Sequence, residues 1–279
     1  MRFSLMLAAV LTASGFLVSS ALADASVERG DYLVNSIMAC GNCHTPQGPN
    51  GPDDTKLFGG SVVDDSPQMH AVASNITPAG RIAGWTDDEL VRAIREGIRP
   101  DGSLIGPPMP FEVYKGLSDT DVKSVVLYLR TLKPVDNAPG ESKYNIPLPP
   151  AYGPPITSVA DVPAGVTVEY GAYLAGPLGH CIVCHTPFDE KGMAQFETKL
   201  GAGGNHFPGP WGESISANIT PTGLKSYSDD QIKAILRTGT RPDGSHVLPP
   251  MPSPYFYAKI SDDDVSAIVA YLRALPAKD

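Results

Sequence analysis

Slid along itself by about half its length, the chain meets a second copy of its own pattern. Gly30 and Tyr32 fall on Gly171 and Tyr173, and His44-Thr45-Pro46 falls on His185-Thr186-Pro187. Asn75-Ile76-Thr77-Pro78 meets Asn218-Ile219-Thr220-Pro221, and Arg99-Pro100-Asp101-Gly102 meets Arg241-Pro242-Asp243-Gly244. A duplicated module predicts two similar domains, and 279 residues is a natural length for two. With 28 Gly and 28 Pro the chain is rich in turns, so long loops able to wrap a large ligand are expected between rather few regular elements.

All four cysteines lie in this repeat, as Cys40-Gly41-Asn42-Cys43-His44 and Cys181-Ile182-Val183-Cys184-His185. Both are C-x-x-C-H, the haem attachment signature. Two thiols three positions apart reach two vinyl groups on a porphyrin edge and form thioethers, and the next residue offers its imidazole to the iron. A redox dithiol or half of a zinc site also uses paired cysteines, but neither requires His directly after the second one, and here that His occurs twice. The motifs therefore predict two covalently bound haem c groups, held by Cys40 and Cys43 and by Cys181 and Cys184, with His44 and His185 on the irons.

A low-spin carrier haem takes a second protein ligand, commonly Met, whose thioether favours ferrous iron. Met109 in Pro107-Pro108-Met109-Pro110 and Met251 in Pro249-Pro250-Met251-Pro252 follow their histidines at nearly the same separation, 44 to 109 and 185 to 251. A lone Met is usually core filler. Two in one proline frame, which limits how far each loop can swing, are read as the distal ligands.

Each copy carries three helix signals. One precedes the haem motif, around Glu28 to Met38 and Glu169 to Leu178. The second opens on a capping box, Thr86-Asp87-Asp88-Glu89 or Ser228-Asp229-Asp230-Gln231, and stops near Gly97 or Gly239. The third starts at Ser118 or Ser261 as N-cap, and its apolar residues recur at helical spacing: Val122, Val125, Val126, Leu129 and Leu132, then Val265, Ile268, Val269, Leu272 and Leu275. Little strand signal is visible, so the expected fold class is all-α. Residues 138–163 are rich in Pro and read as a stiff linker over the surface, between domains at 24–137 and 164–279.

Arg2, the apolar run from Leu5 to Leu17 and Ala21-Leu22-Ala23 read as a cleaved export signal over residues 1–23. Later stretches fall short of the ~18 apolar residues that a membrane span needs. The net charge of −9 argues against nucleic acid and suits a basic docking patch on a protein.

Together these segments resemble class I cytochrome c domains, in tandem and joined by a Pro-rich linker. The closer resemblance is to the cytochrome c subunits of periplasmic alcohol, aldehyde, gluconate and molybdenum-hydroxylase dehydrogenases. It rests on Asn75-Ile76-Thr77-Pro78, Trp85 through Leu90, Asp101-Gly102 with Pro108-Met109-Pro110, and Asp121 with Tyr128-Leu129-Arg130. The resemblance implies a periplasmic electron carrier with no catalytic residues, fed by a partner dehydrogenase and drained by a terminal oxidase or a small cytochrome. The competing reading is a two-haem enzyme, a thiosulfate dehydrogenase or peroxidase, which needs one open iron. Methionine in both frames weighs against it.

Further residues carry two readings each. Trp85 and Tyr227 either bond a haem propionate or pack in the core. Asn75 and Asn218 are read as loop holders ahead of propionate partners, and Arg99 and Arg241 are either propionate partners or solvated. His70, His180, His206 and His246 are read as surface residues and Met69 as packing.

Overall fold

A computed structural model describes residues 24–48, 51–190 and 192–278; the export signal expected at 1–23 lies outside the described residues. The first half contains helices α1 (Val27–Asn35), α2 (Cys40–His44), α3 (Asp87–Glu96), α4 (Phe111–Tyr114) and α5 (Asp119–Thr131). The second contains α6 (Val168–Tyr173), α7 (Cys181–Cys184), α8 (Phe196–Lys199), α9 (Pro221–Leu224), α10 (Asp229–Thr238) and α11 (Asp262–Ala274).

The caps form as their sequences dictate. Thr86 with Glu89, and Ser228 with Gln231, each make a reciprocal capping box, and Gly97 and Gly239 end their helices in the left-handed conformation. The Ser118 and Ser261 hydroxyls accept from the backbone N–H groups of Asp121 and Asp264. On α5 the predicted stripe is buried, from Val122 at 0% exposure to Leu129 at 4%. It packs on α1, as the α11 stripe packs on α6. Gly30 and Gly171 make these crossings possible, because a Cβ on either would lie 2.0 Å from the carbonyl oxygen of Ser124 or Ala267. After α6 the helix widens into a π turn, Leu174–Leu178. Pro177 in that turn has no N–H to continue the α ladder.

The all-α expectation is corrected. Strands β1 (Gln47–Gly48) and β2 (Gly51–Pro52) pair, as do β6 (His206–Gly209) and β7 (Gly212–Ile215). A three-stranded antiparallel sheet has the order β3 (Ser61–Asp65), β4 (Met69–Ala73), β5 (Lys143–Tyr144). Among the described residues the fold is thus mixed, helices plus three small antiparallel sheets. Long loops carry backbone donors and acceptors that need partners, and antiparallel pairing supplies them. Val62, Val63 and Val72 suit that geometry.

The segment 138–163 also does more than cross the surface. It contributes β5, and Met69 and His70 pair with Tyr144 and Lys143. The apolar core runs through both halves.

Candidate functional site

Both C-x-x-C-H motifs form short helices entered through a left-handed residue, Ala39 (φ 47°) or His180 (φ 43°), which turns the chain sharply into the first cysteine. Behind each motif a buried threonine anchors the loop that follows. Thr45 Oγ1 accepts from Phe58 N at 3.0 Å, and Thr186 Oγ1 accepts from Gly201 N at 3.1 Å. The backbone repeats the match, with Gly60 N donating to His44 O at 2.7 Å and Gly203 N to His185 O at 2.8 Å.

The histidines are aimed in the same way. His44 Nδ1 lies 2.7 Å from the carbonyl oxygen of Ser74, and His185 Nδ1 lies 2.7 Å from that of Ala217. A carbonyl can only accept, so each Nδ1 carries the proton and Nε2 is left with its lone pair. Burial holds both imidazoles below their ordinary pKa, opposed by these hydrogen bonds, which keeps them neutral as a metal ligand requires.

No disulfide joins any of the four cysteines. Burial pushes the Cys40 and Cys184 thiols up to about 12, and the neighbouring Cys43 adds to both shifts. These are not the depressed thiols of a redox dithiol. Contacts across the boundary between the halves bring the two motifs near each other: His180, just before Cys181, lies with Nε2 3.4 Å from the carbonyl oxygen of Met38, two residues before Cys40. Asn42, inside the first motif, donates from Nδ2 to the carbonyl of Pro250 at 3.0 Å, one residue before Met251. The ring of Phe256 lies against Gly41.

A family model described as "Cytochrome c" matches residues 168–276, and one described as "Cytochrome C oxidase, cbb3-type, subunit III" matches residues 25–129. A diheme cytochrome c-type protein of Cereibacter sphaeroides is 30% identical over 254 residues, covering 85% of this chain and 82% of its own length. The chain belongs to the di-haem c-type cytochromes. This cytochrome is also 33% identical to the fructose dehydrogenase cytochrome subunit of Gluconobacter japonicus, over 91% of this chain and 53% of that one. The gluconate 2-dehydrogenase cytochrome c subunit of Pantoea cypripedii is 30% identical over 92% of this chain and 61% of its own. The chain spans roughly half to three fifths of the length of these two subunits.

The cytochrome carries two covalently bound haem c groups, one on each cysteine pair, and is an electron-transfer protein. Its motif residues fit that cofactor: paired free thiols, and an imidazole whose far nitrogen is tied to a carbonyl. Met109 and Met251 are half-buried in their proline frames against the core. Asn75 holds the loop as expected, with Oδ1 accepting from Thr77 N at 2.9 Å and Nδ2 donating to Val135 O at 2.8 Å. Asn218 does the same with Thr220 N at 2.9 Å and Lys278 O at 2.8 Å. Arg99 and Arg241 brace their own turns through Ser103 and Ser245. Trp85 and Tyr227 pack against the core.

Of the histidines, His70 pairs with Asp65, His206 with Glu213 and His246 with Thr240. His180 departs from its surface reading, since its ring packs edge-on to Tyr114 and Nε2 lies 3.4 Å from Met38 O of the first half. The buried Arg95, paired with Asp119 at 2.7 Å, and its repeat-mate Arg237, paired with Asp262 at 2.6 Å, belong to none of the motifs read from the sequence. Their recurrence at matching positions was the available signal.

Proposed function

We propose that this cytochrome is a periplasmic carrier that takes electrons from a dehydrogenase and delivers them to a downstream cytochrome or oxidase. The observation that carries the reading is the closeness of the two attachment turns, with the Asn42 amide on Pro250 and the His180 ring against the Met38 carbonyl. Bound haem supplies one-electron exchange at each turn. The chain's own residues would hold and orient the group: the cysteines would attach it, the carbonyls of Ser74 and Ala217 orient the imidazoles of His44 and His185, and Met109 and Met251 would close the opposite side. With both positions closed, the cofactor would exchange electrons and offer no site for a substrate.

The dehydrogenase partner is supported by the named relatives, which are cytochrome subunits of fructose and gluconate dehydrogenases. Among the described residues no helix is long and apolar enough to cross a membrane. Periplasmic residence rests on the export signal read at 1–23 and on the oxidising compartment that thioether attachment accompanies.

The test combines carbon monoxide with turnover. The dithionite-reduced holoprotein is expected to leave its spectrum unchanged under carbon monoxide, and to show negligible peroxidase or thiosulfate-oxidising activity, while a sugar or alcohol dehydrogenase reduces both haems. Carbon monoxide binding together with substrate turnover would instead establish a two-haem enzyme.

A further inference from the structure

The two Pro-Pro-Met-Pro loops are alike in sequence but unlike in what lies on them. Tyr144, on β5, donates its hydroxyl to the carbonyl of Pro107 at 2.9 Å. Its ring covers Gly106 so closely that a Cβ there would fall 2.3 Å from Tyr144 Cζ. Tyr152 donates to the carbonyl of Ile105 at 2.9 Å and stacks on Phe111, ring centroids 4.9 Å apart. Two phenols from the segment 138–163 thus hold the backbone on both sides of Gly106, and one of them also covers the residue two beyond Met109.

That segment is itself tied down. Beside the β4–β5 pairing, Asn145 N donates to Gln68 O at 2.9 Å and Asn145 Nδ2 to Pro67 O at 2.8 Å. In the second loop the position of Gly106 is taken by Leu248, which is 39% exposed, and the position of Phe111 by Ser253. That loop is held elsewhere: the Asn42 amide donates to Pro250, Ser253 donates to the Leu236 carbonyl, and the Tyr255 ring lies against Gly51, while Leu248 itself stays exposed.

We propose that Tyr144 and Tyr152 are positioning residues that strap the Met109 loop, so that Met109 leaves its iron far less readily than Met251 leaves its own. A competing ligand binds only the fraction of molecules in which the methionine has swung away, and its apparent affinity falls with that fraction. Each phenol-to-carbonyl hydrogen bond that restrains the loop lowers the open fraction by up to about tenfold. The strap rests on the reading of Met109 and Met251 as distal ligands.

The experiment is an imidazole titration of the full-length ferric holoprotein, followed by the near-infrared methionine-to-ferric-iron band. The wild-type band is expected to disappear in two phases, and Met251→His should lack the phase at lower imidazole. Tyr144→Phe with Tyr152→Phe should move only the phase at higher imidazole, to roughly tenfold lower concentration or beyond. Gly106→Ala, which displaces the Tyr144 ring while keeping both hydroxyls, should move it in the same direction. If Met251→His removed the phase at higher imidazole, or if the tyrosine and Gly106 variants left both phases in place, the strap would be refuted while the ligand assignment stood. Absence of the band from the wild-type protein would refute the ligand assignment itself, and the strap with it.

Discussion

Tyr173 of the second half donates its hydroxyl to Asp121 Oδ2 of the first at 2.7 Å, and Tyr32 of the first donates to Asp264 Oδ2 of the second at 2.6 Å. These pairs are repeat-mates, so each half grips the other with the same residues. Each phenol oxygen also accepts a backbone N–H at a helix start, from Ser118 at 3.0 Å and from Ser261 at 3.1 Å. Asp121 is further held by Arg29 at 2.8 Å. The reciprocal clasp seats α1 against the start of α11 and α6 against the start of α5, and so brings the two attachment turns together.

Tyr173→Phe removes the hydroxyl and leaves a buried Ser118 N–H unpaired. The expected cost is about 1–3 kcal/mol, read as an earlier midpoint in urea unfolding. Tyr32→Phe should cost less, because that site is more open to water, which can replace the lost partner.

Gly171→Ala drives a methyl into the carbonyl of Ala267, where only 2.0 Å is available. The α6 and α11 helices must separate, so destabilisation of about 1–3 kcal/mol is expected by urea unfolding. Gly30→Ala should act alike on α1 and α5, whereas Gly102→Ser, on a turn where a Cβ meets nothing within 4 Å, tests the strain of its positive φ alone.

Acid should loosen the boundary between the halves. Burial, opposed by the Met38 carbonyl, lowers the pKa of His180, so the folded state binds its proton less readily than the unfolded chain. The neutral ring's contribution is therefore present above about pH 6.5 and is lost as pH falls through the lowered folded value. Unfolding midpoints measured from about pH 7 down to pH 5 should fall less steeply in His180→Gln than in the wild type.

Replacing Met109 by His should lower the potential of one haem substantially and leave the other nearly unchanged, because axial ligand identity is one of the levers that spread haem potentials over ~0.8 V. Met109→Ala should open that iron to carbon monoxide. A potentiometric titration followed in the visible bands checks both, and an unaltered Met109→Ala protein would pass the ligand role to another residue.

Caps, helix stripes and motifs were legible because their physics is local: Thr86 needs only Glu89 three positions on, and Val122 needs only the helical period. The strands were not. Ser61–Asp65 is short, its register shifts between Val62 and Asp64, and Lys143–Tyr144 becomes a strand only because β4 is there to pair with it. The reciprocal tyrosines were visible as repeat-mates, but their partners lie in the opposite copy, and no spacing within one copy points there. His180 escaped for the same reason. It owes its place to Tyr114 and Met38, far away in sequence.

The central claim is that one chain holds two haems close enough to share an electron. The direct measurement is injection of less than one electron per molecule into the oxidised Met109→His protein by a flash-activated donor. An electron that lands on the altered haem is expected to move to the other with a single first-order rate that does not change with protein concentration. A rate that rises in proportion to concentration would mean that electrons pass only between molecules, and would contradict the account.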